Sequence, residues 1–166
     1  MLGFYENFPV NVHMIMQLTT SVSAKKLQQA IVQALYRLNS ENLSLEAIAN
    51  PSISECTVIF EFGIAEGKTF NYLDYEETQK VLEKIGETSM KVMDFFSAIR
   101  YYKWKEGKSK PLKFDYYMIR LTFNANLVNV YVFHERGPRH ISPEEIINLI
   151  VARVNTLFRR KALNLA

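Results

Sequence analysis

Alternating apolar and polar residues predict two strands in the first half of the chain. The segment 10–20, VNVHMIMQLTT, is apolar at every second position at its start, and CTVIFEFGI at 56–64 follows the same pattern. Residues two apart share one face of a strand, so each segment presents an apolar face to a core. Between them, AKKLQQAIVQALYRLN carries an apolar stripe at helical spacing, with Ser23 as its N-cap. This order predicts a right-handed βαβ unit with two parallel strands.

The middle of the chain predicts a long helix followed by a hairpin. Asp74 has Glu77 three residues on, the spacing of a capping box, and the helix is expected to run from Tyr75 to about Tyr102. LKFDYYMIRLTF and LVNVYVFH both have strand character, and they are joined across Asn-Ala-Asn. Asn tolerates the left-handed backbone that tight turns need, so this segment favours a hairpin.

A last helix is predicted after Ser142-Pro143, where serine caps the helix, proline takes its first position and Glu145 completes a capping box. The resulting order is β-α-β-α-β-β-α. It predicts an α+β fold, a two-layer sandwich with helices on one face of a mixed four-stranded sheet. At 166 residues the chain is expected to form a single domain, 1–166.

Composition narrows the function classes. The net charge is +3, too small by itself to indicate a nucleic-acid partner. The one cysteine, Cys56, excludes an internal disulfide and a multi-cysteine zinc site. Gly67-Lys68-Thr69 lacks the earlier glycine of a P-loop, because position 62 is Phe62, so we expect no cofactor. With no signal peptide and no apolar run of membrane-spanning length, a cytoplasmic protein without membrane contact is expected.

The stretch RYYKWKEGKSKPLK, at 100–113, concentrates positive charge. It holds six Lys and Arg residues against one acid, Glu106. Basic groups follow a phosphate backbone, and interleaved aromatic rings offer stacking faces to unpaired bases. The predicted RNA-binding residues are Arg100, Tyr101, Tyr102, Lys103, Trp104, Lys105, Lys108 and Lys110. The alternative interpretation is a solvated loop whose aromatic residues anchor a helix end to the core.

The stretch HERGPRHISPEE, at 134–145, predicts an anion-binding corner at the start of the last helix. A helix N-terminus has free N–H groups and partial positive charge, so it suits a phosphate of RNA or of a nucleotide. The predicted anion-binding residues are Arg136, Arg139, His140 and Ser142. The alternative is purely structural: Gly137-Pro138 makes the turn and Ser142 caps the helix.

No catalytic or metal motif is complete in the chain. The residue four after His134 is Pro138, so the H-E-x-x-H pattern of zinc proteases is absent, and we predict no metal. If the first two strands were adjacent and parallel, His13 and Glu61 would lie together with Asp115 nearby, and His134 is a further ionisable candidate. Acid–base chemistry at these residues is a further alternative.

A family resemblance adds to this picture. His13 lies beside an opening strand, SAKKLQQAIVQAL follows directly, and KFDYYMIRL precedes LVNVYVFH. In these features the chain resembles small archaeal proteins predicted to be exosome-associated RNA-binding subunits, whose fold is like that of ribosomal protein L5. Phe114-Asp115 matches a Phe-Asp pair that opens a strand in that group, whereas Tyr116-Tyr117 stand where the group tends to carry Lys-Gln. The resemblance implies RNA binding without catalysis.

Together these observations predict a noncatalytic RNA-binding module with single-stranded or structured RNA as its partner. A homodimeric protein-interaction module is the rival hypothesis. Its self-association surface would be an aromatic sheet face with Tyr117, Tyr131 and Phe133.

Overall fold

The chain forms nine strands and three helices, and the computed structural model describes all 166 residues. The strands are β1 (Met14–Thr20), β2 (Leu43–Ser44), β3 (Cys56–Glu66), β4 (Thr69–Tyr72), β5 (Val92–Lys105), β6 (Lys108–Pro111), β7 (Asp115–Asn124), β8 (Leu127–Arg136) and β9 (Leu163–Leu165). The helices are α1 (Ala24–Leu38), α2 (Tyr75–Glu87) and α3 (Pro143–Asn155), and Leu45–Ala47 form a 3-10 turn. None of the helices has the length and hydropathy that a membrane crossing requires.

All nine strands belong to one sheet whose neighbouring strands are antiparallel. The order is β2-β3-β5-β7-β8-β1-β9, with β4 paired to β3 and β6 paired to β5. The prediction of a mixed four-stranded sheet with the order β-α-β-α-β-β-α is therefore wrong. The predicted parallel pair is wrong too, because β1 pairs with β8 and β9 whereas β3 pairs with β2, β4 and β5. Alternation identifies the buried face of a strand but does not identify its neighbour.

The helix predicted from Tyr75 to Tyr102 is correct only in its first half. It ends at Glu87, and residues Val92–Lys105 form β5, a strand between β3 and β7. β5 carries large side chains on both faces: Phe95 is buried in the core, and Phe96 on the other face is half-buried. This removes the clean alternation that identifies a strand, although the aromatic content of the segment favours one.

The predicted helix starts are confirmed. The Ser23 side chain accepts a hydrogen bond from the Lys26 N–H, and the Asp74 side chain accepts one from Glu77. At α3, Ser142 and Glu145 form a complete reciprocal capping box. The predicted hairpin between β7 and β8 is also confirmed, and its turn residue Ala125 has a φ of 52°. Local side-chain chemistry fixes the helix starts, so the sequence predicts them reliably. The turn of the hairpin takes its left-handed conformation at Ala125 and not at the asparagines from which it was predicted.

The two faces of the sheet differ in what covers them. α1 contacts α2, α3 and β3, and α3 contacts β8, so the helices form one layer on one side. The main core lies between this layer and the sheet, and its largest fully buried members include Phe60, Phe62, Phe95, Leu27, Ile31 and Leu35. No helix covers the opposite side, which we call the open face. Part of the open face lies under the N-terminal residues, where Phe4 and Phe8 stack on Arg120.

Candidate nucleic-acid interface

The basic stretch forms a two-stranded hairpin at the end of β5. The chain turns through Glu106 and Gly107, which have positive φ values of 53° and 75°. Two consecutive residues with positive φ form the turn that matches the twist of paired strands, and glycine adopts it without strain. β6 then pairs back on β5, which places Lys105 opposite Lys108 and Lys103 opposite Lys110.

The lysines and the aromatic residues of this hairpin lie on opposite faces. Directly opposed residues share a face of an antiparallel ribbon, and sequence neighbours point to opposite faces. The lysine face, as we call it, therefore consists of Lys103, Lys105, Lys108 and Lys110. Tyr102 and Trp104 lie on the other face, opposite Pro111 and Ser109. In the sequence, the lysines and aromatic residues alternate, and this alternation predicted one joint site. In a strand, the same alternation places the charges on one face and the rings on the other.

The lysine face carries uncompensated charge. None of its four ammonium groups takes part in any of the ion pairs of the structure. The Lys103 Nζ donates a hydrogen bond to the Ser54 carbonyl at 2.8 Å, and the other three side chains are exposed. Like charges opposite each other destabilise a pair of strands, so a bound polyanion would relieve this repulsion.

Two members of the predicted RNA-binding set contact other groups of the protein. Tyr101 is fully buried, and its hydroxyl donates a hydrogen bond to Asp115 Oδ2 at 2.6 Å. Burial, followed by the bond to this carboxylate, raises the pKa of Tyr101 far above the usual tyrosine range. Its enclosed ring offers no face on which a base could stack. Arg100 lies on the open face, with its Nε 2.7 Å from Glu61 Oε1.

Asp115 is the centre of a buried hydrogen-bond cluster that sequence reasoning missed. Its carboxylate is fully buried and accepts hydrogen bonds from the Tyr101 hydroxyl and from the backbone N–H groups of Arg139 and His140. The Nε2 atom of His134 lies 2.9 Å from Asp115 Oδ1. A buried charge is stable only when it is paired and hydrogen-bonded in this way. The cluster therefore ties the 134–140 segment to the start of β7.

These contacts change the interpretation of the predicted anion-binding corner. The backbone donors of Arg139 and His140 are taken by Asp115, and Ser142 and Glu145 satisfy each other in the capping box. The protein's own carboxylates thus occupy the position expected for an external anion. The Arg139 side chain is exposed and lines a cavity of about 570 Å³ with His140 and Ser142, but Glu144 and Glu145 line it too.

Arg136 does not belong to the predicted anion-binding corner and lies on the open face. Its guanidinium carbon is 4.5 Å from the centre of the Tyr116 ring, an arrangement that favours a cation. It forms none of the ion pairs of the structure, and the residue is exposed. The free edge of its guanidinium can donate two parallel hydrogen bonds to a phosphate.

The ionisable residues considered for acid–base chemistry meet only in part. His13 Nδ1 accepts a hydrogen bond from the His134 N–H at 2.9 Å, and the His13 ring stacks on Phe133. Desolvation, followed by the charges of Arg139 and His134, lowers the pKa of His13. Glu61 belongs to β3 and does not join this group, since β1 and β3 are not neighbours. The structure assembles no cluster of three or more His, Cys, Asp or Glu residues suited to a metal ion.

A row of aromatic rings runs along the open face between β5 and β7, and we call it the aromatic strip. Its members are Phe96, Tyr116, Phe114, Tyr102 and Trp104, which are half-buried except for Trp104, at 48% exposed. The Phe96 and Tyr116 ring centres are 6.0 Å apart, and those of Phe114 and Tyr116 are 6.5 Å apart. Tyr102 and Trp104 were predicted from the sequence as stacking residues, but their alignment with Phe96 was missed because the sequence pattern assigned most of β5 to a helix.

Comparisons with known proteins identify no relative: no family model, no curated protein and no solved structure matches the chain. The resemblance to archaeal exosome-associated proteins stays a prediction.

Proposed function

We propose that this protein is a noncatalytic RNA-binding module of the cytoplasm, and that the lysine face of the β5–β6 hairpin is its phosphate-binding surface. The proposal rests on two pairs of lysines that lie directly opposite each other, Lys103 with Lys110 and Lys105 with Lys108. None of the four has a carboxylate partner. Four cations held on one face of a ribbon attract a polyanion rather than a single small anion.

The geometry of the ribbon supports an extended ligand. Lys103 and Lys105 are two residues apart on one strand, so their backbone positions repeat at roughly 7 Å along the ribbon. Lys110 and Lys108 repeat the same interval on the neighbouring strand. A phosphate backbone that lies along the ribbon meets a lysine at each of these intervals. A mononucleotide is too short to contact both pairs of lysines.

The test is the binding of a fluorescein-labelled 12-nucleotide RNA, measured by fluorescence anisotropy at physiological salt. One variant changes Lys103, Lys105, Lys108 and Lys110 to glutamine. A charge-matched control changes Lys25, Lys26, Lys84 and Lys161, four exposed lysines outside the hairpin, to glutamine. The proposal predicts that the hairpin variant loses at least tenfold in affinity and that the control loses much less. Equal losses in the two variants, or no binding by the wild type, would contradict it.

A second candidate function is self-association through the open face. Ile15 on this face is 59% exposed, and Tyr131 and Phe133 beside it are half-buried. Tyr117 is not available to such an interface, because it is fully buried on the helix-covered side and bonded to the Ile141 carbonyl. Sedimentation equilibrium over a wide concentration range tests this candidate, and a concentration-independent monomer would eliminate it.

A further inference from the structure

We infer that the aromatic strip on the open face receives unpaired bases, so that the ligand of this protein is single-stranded rather than duplex RNA. This inference rests on the proposed RNA-binding function and specifies its substrate class. The lysine face by itself recognises only phosphates, which single strands and duplexes both present. The open face supplies aromatic rings. The unpaired bases of a single strand can stack on these rings, whereas the paired bases of a duplex cannot.

The strip has the dimensions of an extended site. Along β5 it runs from Phe96 through Tyr102 to Trp104, every one of which lies on the open face. The eight residue-to-residue intervals from Phe96 to Trp104 cover roughly 27 Å, enough for several nucleotides. On β7, Tyr116 stands opposite Ala98 of β5, and its ring lies near those of Phe96 and Phe114. Phe96, Tyr116 and Phe114 therefore form one group of neighbouring rings, and Tyr102 and Trp104 lie further along β5 on the same face.

Cations accompany the rings of the strip. Arg136 stacks on Tyr116 with its outer edge free. Arg100 donates to the Tyr102 hydroxyl at 3.3 Å, and its own charge is paired with Glu61. The strip ends at Trp104, on the same hairpin that carries the lysine face. The unpaired charge of Arg136 distinguishes the strip from a surface built only for apolar contact, and it favours a nucleic acid over a second copy of this chain, which would bring the same positive charge.

The matched probes are an unstructured 12-nucleotide RNA and the same strand annealed to its complement. Two variants alter the strip without a large change in core packing: Tyr116→Leu removes a ring and keeps the net charge, and Arg136→Gln removes the stacked cation and one positive charge. Their controls are Tyr75→Leu and Arg159→Gln, since both residues are exposed and lie outside the strip. The single tryptophan, Trp104, provides an intrinsic signal at the end of the strip.

We expect the wild type to bind the single strand about tenfold more tightly than the duplex, and Tyr116→Leu to lose about tenfold in single-strand affinity while duplex affinity stays constant. Single-stranded RNA should quench the fluorescence of Trp104 more than the duplex does. Tyr75→Leu should behave as the wild type.

Equal binding of both probes that depends on the lysine face would overturn the strip inference and leave the proposed function standing. No binding of either probe would overturn both. A dimer that dissociates in Tyr116→Leu while RNA affinity is unchanged would assign the strip to self-association instead.

Discussion

Lys103 lies directly opposite Lys110 across the β5–β6 hairpin, with both side chains on the same face. Like charges in this arrangement repel, so the hairpin is less stable than its backbone pairing allows. We predict that Lys110→Gln increases the free energy of unfolding by about 0.2–1 kcal/mol at low ionic strength, with the gain vanishing at high salt. Thermal unfolding without RNA measures this, and Lys25→Gln is the control. A destabilised Lys110→Gln protein would show that this lysine is structural.

Asp115 is predicted to be the most sensitive polar position of the fold. Asp115→Asn keeps the size of the side chain but replaces an acceptor by an amide that faces the N–H groups of Arg139 and His140 and the Tyr101 hydroxyl. We expect the free energy of unfolding to fall by about 3 kcal/mol or more, because the buried donors lose a charged acceptor. Urea unfolding measures it, and a loss below about 1 kcal/mol would contradict the structural role.

Tyr101→Phe separates stability from RNA binding. It removes one hydrogen bond to a charged group, so we expect a loss of about 1.5 kcal/mol in the free energy of unfolding. Because the ring is buried, RNA affinity should be unchanged at a temperature where the variant is fully folded. Weaker RNA binding by the folded variant would mean that Tyr101 reaches the ligand.

Two glycines with positive φ are expected to respond differently to alanine. Gly137 has a φ of 117°, and an added Cβ would overlap with the Phe114 carbonyl oxygen and the Asp115 carboxylate. Gly107 has a φ of 75°, and an added Cβ there meets no atom within 4 Å. Gly137→Ala should therefore lower the free energy of unfolding by more than about 3 kcal/mol. Gly107→Ala should lower it by about 1–2 kcal/mol, from backbone strain alone. Similar unfolding midpoints for the two variants would contradict this.

His13 is expected to make stability depend on pH. Its pKa is lowered in the folded protein, so below the ordinary histidine value of about 6.5 the unfolded chain binds more protons than the folded one. The contribution of His13 is complete above pH 6.5 and is lost as the pH falls toward and through the lowered pKa. His13→Asn should flatten the stability difference between pH 7 and pH 5. An unchanged difference would assign the pH dependence to other groups.

Local features of the fold were predictable from sequence, whereas the arrangement of strands was not. The caps at Ser23, Asp74 and Ser142 depend on residues within one helical turn, and all three form as expected. The partner of β1 depends on residues more than 100 positions away, such as Val132 opposite Met14. Nothing in an alternating pattern encodes that distance, so the parallel pairing with β3 was a false inference.

The candidate site was only partly predictable for the same reason. The lysines of the hairpin were identified from charge alone, but their separation from Tyr102 and Trp104 follows from strand geometry. Tyr101 was counted with these rings from composition alone, and as a strand residue it points into the core. A Phe-Asp pair at the start of β7 was noticed, yet only the folded chain shows why Asp115 needs its buried partners.

The most direct test of phosphate binding by the lysine face is the salt dependence of RNA affinity. Each phosphate contact on a single strand contributes roughly 0.7 to the slope of log affinity against log salt concentration. Replacing the four lysines with glutamine should lower the slope of the wild type by roughly 2–3, whereas the charge-matched control should keep the wild-type slope. A hairpin variant with the same slope as the wild type would show that RNA phosphates do not contact this face, and the central claim would be wrong.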